Sequence, residues 1–281
     1  MKVLVLGPSG MLGHQMVKVL RNSQLEVVTA GRSESDILFD VGSKELTNTS
    51  LTGFEYIVNC IGLITHNIHE EDPGSVAAAE LLNTDFPKRL VAFAEEAGSK
   101  VIQIATDCVY SGAKGNYVES DIHDASDVYG TTKSAGEVRS ANVMYVRASI
   151  VGRELRGKKS LLEWVLSQPQ NASIPGFQYR IWNGVTTMAF SKVVAGIIMS
   201  DGFRAGTWHL VPQDKVSKFE LVSICASQFG RTDLHVTASD SAMAKDLTIA
   251  TEYPEVNKGL WQAAGYHQIP TIRQLIAEIA G

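Results

Sequence analysis

Short apolar runs alternate along this chain with segments whose apolar positions recur every three to four residues, and the two periods set out its elements. Lys2–Leu6 reads as a buried strand. A glycine-rich turn follows, and then Met16, Val17 and Leu20 recur at helical spacing. Glu26–Ala30 is a second strand, ending at Gly31-Arg32. Tyr56–Asn59, Val101–Ala105 and Met144–Arg147 read as further strands. The segment from Ser75 to Gly98 is helical in pattern, with an interruption allowed near Asn83–Pro87, and Gly98 is placed to cap its C-terminus. Ser111–Val128 is rich in Gly, Asp and Ser and reads as a loop before a helix that carries Tyr129. Beyond Gly152 the texture changes. Leu161–Leu166 is helical, Pro169–Asn183 is loop-like, Ser191–Met199 is an apolar helix and Gly206–Leu210 is a strand that can rejoin the sheet. Capping boxes at Ser217–Glu220 and Thr271–Gln274 open two last helices.

Strands alternating with helices predict an α/β fold, a doubly wound parallel sheet of Rossmann type with a smaller C-terminal substrate-binding region. The division expected is 1–151, rejoined by 184–210, as the dinucleotide-binding domain, with 152–183 and 211–281 forming the other. In such sheets ligands bind at the carboxyl ends of the strands. The segments Gly7–Gly13, Cys60–Gly62 and Thr106–Cys108 all fall at those ends.

Composition narrows the class. With 281 residues, 44% hydrophobic and 20% charged, the chain reads as a soluble globular protein with a sizeable core. A net charge of −5 and no long basic stripe argue against nucleic acid as a partner. The three cysteines, Cys60, Cys108 and Cys225, suit neither a disulfide framework nor a zinc spacing and fit a reducing compartment. The apolar start is too short for a signal sequence and is interrupted at Gly7-Pro8, and no run approaches a membrane span. A cytoplasmic location follows as the expectation, with no membrane partner.

The glycines of Gly7-Pro8-Ser9-Gly10-Met11-Leu12-Gly13 allow a tight turn and a close approach of backbone to a pyrophosphate at a helix N-terminus. With a strand before and a helix after, this is a dinucleotide site. Arg32 at the end of the second strand, with no acidic residue beside it, favours the 2′-phosphate of NADP over the free ribose of NAD. Asp40-Val41 is a candidate contact for the adenine amine, and Cys60, Ile61 and Gly62 line the site from the fourth strand.

Tyr129 and Lys133 stand four residues apart, so on a helix they share a face, a phenol beside an ammonium. Such a pair can turn a group of free pKa about 10 into a proton donor. On spacing alone it equally describes an ordinary surface helix. Thr106 at a strand end and the glycine turn at another raise its standing.

Together these residues give the chain a family likeness. The segments Val58–Gly62, Ala105-Thr106-Asp107-Cys108-Val109-Tyr110-Ser111-Gly112, Val128–Glu137 and Val146–Ser149, with the glycine turn and Leu162-Glu163-Trp164, resemble the extended short-chain dehydrogenases/reductases. Within them the chain resembles the dTDP-4-dehydrorhamnose reductase branch of sugar-nucleotide enzymes. The likeness is dense to about Gly152 and thin beyond it. It implies a reductase that uses NADPH, or NADH, on a nucleotide-linked 4-keto-6-deoxyhexose in cell-surface polysaccharide or nucleotide-sugar synthesis. Tyr129 would protonate the sugar oxygen as hydride arrives, Lys133 would hold the nicotinamide ribose and lower the Tyr129 pKa, and Thr106 would hydrogen-bond the carbonyl oxygen. Asp107, Cys108, Val109, Arg153, Arg180 and Trp182 would meet the substrate.

Related 4,6-dehydratases carry a glutamate base where this chain has Cys108, which argues against dehydration. A thiol there is either an acid/base, as in fucose-type epimerase-reductases, or a small residue lining the pocket. Simple reduction is the favoured reading. The alternatives are a nucleotide-sugar epimerase or epimerase-reductase with NAD, and a non-catalytic dinucleotide-binding regulatory subunit. The basic stretch Arg153, Arg156, Lys158 and Lys159 either reaches a substrate diphosphate or is an exposed loop, and Trp182 either stacks on a base or sugar or packs the domain junction. His66, His69, Glu70, Glu71 and Asp72 resemble a metal cluster at first sight but lack matching ligands elsewhere, so no metal is expected. A homodimer is one assembly the sequence leaves open.

Overall fold

Seven parallel strands form the central sheet of the computed structural model, which describes residues 1–42, 51–157, 159–240 and 243–281. In chain order the first half is β1 (Lys2–Leu6), α1 (Met11–Asn22), β2 (Glu26–Gly31), β3 (Ile37–Leu38), β4 (Tyr56–Asn59), α2 (Pro73–Glu80), α3 (Phe86–Ala97), β5 (Lys100–Ala105), α4 (Val128–Ala135) and β6 (Val143–Arg147). The second half adds β7 (Ile150–Val151), α5 (Leu161–Leu166), β8 (Ser173–Phe177), β9 (Arg180–Trp182), β10 (Val185–Thr186), α6 (Thr187–Met199) and β11 (Gly206–His209). Last come β12 (Val216–Ser217), α7 (Lys218–Gln228), β13 (His235–Ser239), β14 (Lys245–Asp246), α8 (Pro254–Ala263) and α9 (Ile272–Ala280).

The sheet order is β11-β6-β5-β4-β1-β2-β3, so the chain winds outward from β1 in one direction and from β4 in the other. The crevice beyond the carboxyl ends of β1 and β4 is therefore the switch point where ligands bind in this architecture. Alternation along β1 explains the layering. Val3 and Val5 pack with α1 and α6 on one face, while Leu4 and Leu6 pack with Phe86 and Leu90 of α3 on the other. Helix α6 is buried nearly all round, which is why its pattern shows little polar face. A separate core built around Leu162, Trp182, Leu221 and Ile276 holds the C-terminal elements.

Several elements differ from the sequence reading. The Pro169–Asn183 loop contains two strands, β8 and β9. Pro175 lies opposite Thr237 in the two-stranded pair β8–β13, and a proline is tolerated where a strand has a free edge. The partner strand lies some sixty residues on, so no local signal announces the pairing. Helix α6 starts at Thr187 rather than Ser191, because the Thr186 hydroxyl accepts from the Ala189 N–H at 3.2 Å and caps it. Between α2 and α3 the helix does not stop at Asn83–Pro87. It widens into one π-turn over Leu81–Asp85. Lys158 of the basic stretch lies outside the described residues.

Candidate active site

The glycine turn is shaped by two close approaches. Gly7 has φ +74°, and a Cβ there would stand 2.9 Å from Cγ1 of Ile61 at the end of β4. A Cβ on Gly13 would stand 2.0 Å from the Gly7 carbonyl oxygen, so α1 seats directly on the turn. Gly10 at the N-cap offers no side-chain cap, and Ser9 and Gly10 are exposed, with Met11 at the rim; the first N–H groups of α1 stay open to an anion. These features fit a pyrophosphate. Leu12 is buried in the core and serves the turn through its backbone.

Beside the turn lies a cleft of about 490 Å³ lined by Pro8, His14, Arg21, Thr29 and Asp36. Arg32 is exposed at the end of β2. Asp36, which the sequence reading passed over, points its carboxylate back into β2. It accepts from the Thr29 N–H and hydroxyl, both at 2.8 Å, and these bonds hold its pKa below the usual range. Asp40 accepts from the Gly42 N–H at 3.0 Å, and the Val41 carbonyl accepts from Arg89 at 2.7 Å. On β4, burial pushes the Cys60 thiol up to about 12, so it stays protonated and inert. Gly62 lies against Asn83, whose side chain bonds both the N–H and the carbonyl of Leu63 at 2.9 Å. Asn83 also reaches Thr132 of α4 at 3.2 Å. This buried amide ties the β4 loop to the Tyr129 helix. In the sequence Asn83 opens the polar run Asn83-Thr84-Asp85 and carries no signal of this role.

The Asp127 carboxylate caps α4 by accepting from the Gly130 N–H at 2.8 Å. A Cβ on Gly130 would stand 2.3 Å from the Cys108 carbonyl oxygen, so only glycine lets α4 press against the segment after β5. That contact brings Tyr129 next to Thr106. The Thr106 hydroxyl donates to Asp107 Oδ1 at 3.2 Å and accepts from the Cys108 N–H at 3.2 Å. Val109 is fully buried and packs with Tyr110, Tyr117 and Ile249. Burial raises the Tyr129 pKa above its ordinary value; the neighbouring Cys108 and Asp107 add to this and the Thr106 hydroxyl opposes it. The phenol therefore keeps its proton at neutral pH. Burial, with Asp107 adding, also raises the Cys108 thiol, which leaves no thiolate to act as a base.

Lys133 shares the helix face with Tyr129, but its ammonium donates to the Ile104 carbonyl at 3.1 Å. The leading influences on the phenol are burial, Cys108, Thr106, Asp107 and Asp127, and the net shift of the Tyr129 pKa is upward. Burial brings Lys133 down to about 8, with Arg147 adding and Glu137 opposing. The ammonium is charged below that pH and loses its proton above it. If Lys133 holds an anionic cofactor, kcat/KM for NADPH should fall as pH rises through about 8. Lys133→Arg, charged throughout, should flatten that limb in the same steady-state assay, and a limb unchanged in Lys133→Arg would assign it to another group.

The remaining expected contacts divide. Arg153 donates to Glu163 at 2.6 Å, Arg156 meets Glu34 at 3.0 Å and Lys159 reaches Asn67 at 3.3 Å. The described part of the basic stretch is thus matched by partners inside the chain, and it spans from the β2 end to the loop after β4. Trp182 is buried at the junction and donates to the Ser149 hydroxyl at 2.7 Å. Arg180 carries a buried Nε with no partner. Of the metal-like group, Asp72 caps α2 through the Gly74 N–H at 2.9 Å and Glu70 accepts from the Val128 N–H at 3.1 Å. Arg147, missed in the sequence, is fully buried and donates to the Thr106 carbonyl at 2.7 Å and to Glu137 at 2.8 Å.

A family model described as RmlD substrate binding domain matches residues 1–280. The chain belongs to that family. This RmlD-like chain is 24% identical to methionine adenosyltransferase 2 subunit beta of Rattus norvegicus over 250 residues, 84% of this chain and 74% of that protein. It is 30% identical to the dTDP-4-dehydrorhamnose reductase of Streptomyces griseus over 135 residues, 48% of this chain and 43% of that one. Among solved structures it is similar to the dTDP-4-dehydrorhamnose reductase of Yersinia enterocolitica, with TM-score 0.79 at 18% identity over 100% of this chain and 98% of that one. The enzyme from Bacillus anthracis in complex with NADP gives TM-score 0.78 at 16% identity over 99% and 98%. At such identities the structural likeness speaks for the fold.

Proposed function

We propose that this RmlD-family chain is an NADPH-dependent reductase of a nucleotide-linked 4-keto-6-deoxyhexose. The observation that carries it is the meeting of Thr106, the protonated Tyr129 phenol and Lys133 at the β5 end, across the sheet crevice from an anion-ready glycine turn. The names of relatives support it, since several are dTDP-4-dehydrorhamnose or dTDP-keto-deoxyglucose reductases, and the NADP complex of a structural neighbour supports the cofactor. NADH remains the second choice, because other neighbours hold NAD.

Gly7, Gly10, Gly13 and the first turn of α1 would hold the pyrophosphate, and Arg32 the 2′-phosphate. When bound, the nicotinamide supplies hydride. Tyr129 delivers a proton to the sugar oxygen as negative charge grows there, and Thr106 fixes the position of that oxygen. Lys133 orients the ribose. The raised Cys108 thiol supplies no base, which favours reduction over epimerisation. The chain would divide as 1–151 with 184–210, and 152–183 with 211–281, because β11 joins the main sheet while β8, β9 and β12–β14 form small sheets of their own. No helix among the described residues is long and apolar enough to cross a membrane. We place the protein in the cytoplasm, in keeping with its three free thiols.

NADPH oxidation measured against a panel of dTDP-, UDP- and GDP-linked 4-keto-6-deoxyhexoses tests the reading. Stoichiometric oxidation with one member is the expected result, and no turnover with any of them sinks it. A second reading, a subunit of another enzyme, has its own support: the methionine adenosyltransferase 2 subunit beta relatives match 84% of the chain and the reductases of known name about half.

A further inference from the structure

The turn after β2 sets a carboxylate beside the glycine turn, and a cation from the C-terminal region meets it there. A Cβ on Gly31 would stand 2.9 Å from the Ser35 hydroxyl oxygen and 3.2 Å from Cδ of Pro8, so this turn packs directly on the segment that would hold the pyrophosphate. Glu34 lies on it with φ +52° and lines the same cleft of about 490 Å³ as Pro8 and His14. Arg156, from the loop between β7 and α5, donates to both oxygens of the Glu34 carboxylate at 3.0 Å. That loop is braced from within. The Glu154 carboxylate accepts from the Lys159 and Ser160 N–H groups, each at 3.1 Å, and the Glu154 N–H donates to Glu163 at 3.2 Å.

Both bonds to Glu34 come from Nη2 of Arg156. Its Nε and Nη1 make no hydrogen bond with any described residue, so the planar fork keeps an edge for a second anion. The two side chains are 71% and 72% exposed, and an ion pair so open to water contributes little by itself. Its place matters more. A carboxylate just past the second strand suits a ribose 2′-hydroxyl and repels a 2′-phosphate, which carries about 1.5–2 negative charges. Of the other cations at this cleft, Arg21 already pairs with Asp36 at 3.7 Å. Arg32 by itself does not balance both Glu34 and a phosphate.

We propose that Arg156 is a specificity-determining residue for the cofactor: it neutralises Glu34 and, with Arg32, binds the 2′-phosphate of NADPH. Cofactor choice is then shared between the β2 end and a residue 122 positions from Glu34, on the other side of the crevice. The inference rests on the NADP reading above and adds a residue to it.

Fluorescence titrations of NADPH and NADH against the wild type, Arg156→Gln and the double variant Arg156→Gln/Glu34→Gln test it without a sugar substrate. Arg156→Gln should weaken NADPH by about tenfold, one lost charge-assisted contact, and leave NADH unchanged. The double variant should recover part of the NADPH affinity, because the bare carboxylate is gone. The proposal fails if Arg156→Gln leaves NADPH binding as it was, or if both nucleotides weaken by one factor. It fails also if the double variant binds NADPH no better than the single one. A wild type that binds neither nucleotide overturns the cofactor reading itself, and this inference with it. Arg156 is exposed, so the variants should melt with the wild type, and thermal melts show that folded proteins are being compared.

Discussion

Tyr129→Phe should lower kcat by about 10²–10⁴-fold, the range for losing a positioned general acid, and leave NADPH affinity unchanged. The change removes a single oxygen. That phenol interacts with Thr106 and makes no bond on which α4 depends, since Asp127 caps the helix and Gly130 seats it. The fold should therefore survive, and a stopped-flow or steady-state assay beside a fluorescence titration of NADPH separates chemistry from binding. Because burial keeps the phenol protonated, no compensating shift of the pH optimum is expected within the neutral range. Full turnover in Tyr129→Phe would remove the acid from this site. Cellular activity kept in Tyr129→Phe although turnover is lost would move the balance to the subunit reading.

Arg147→Met should cost about 3–5 kcal/mol of folding stability, the range for breaking a buried ion pair from one side. The guanidinium is 1% exposed and sits 5.4 Å from the Tyr110 ring centroid. It donates to Glu137 at 2.8 Å and to the Thr106 carbonyl at 2.7 Å. Removing it leaves the Glu137 carboxylate without its countercharge, and one oxygen of that carboxylate already lacks a partner. Adding Glu137→Gln to Arg147→Met should recover part of the loss, because the stranded charge disappears. Urea denaturation of the wild type, the single variant and the double variant reads this directly. A loss under about 1 kcal/mol in the single variant would show that the pair is solvated in practice. Since Arg147 also fixes the Thr106 carbonyl, the same substitution links the stability of β5 and β6 to the placement of Thr106.

Much of the candidate site could be proposed from the sequence because its chemistry is local. The glycine turn lies within seven residues, and Tyr129 and Lys133 within one helical turn. Thr106 follows directly from the end of an apolar strand. The capping boxes at Ser217 and Thr271 are equally local, and both form as read. What escaped depends on distant partners. Asn83 matters because it meets Leu63 and Thr132, and Arg147 because β6 sets it beneath Thr106. Strand β8 could not be seen without β13. The basic stretch looked free in the sequence, but Glu163, Glu34 and Asn67 are waiting for it in space.

The sequence by itself determined the alternation of elements, and hence the parallel sheet, the crevice at its switch point and the residues offered to it. Short-range periodicity and single-residue conformational limits are enough for that. Only the tertiary structure decided the charge states and the division of labour. Burial holds the proton on Tyr129 and Cys108 and weakens it on Lys133, while the fold brings Glu163 to the exposed Arg153. Desolvation and long-range charge depend on what surrounds a group in three dimensions, and no spacing along the chain encodes them.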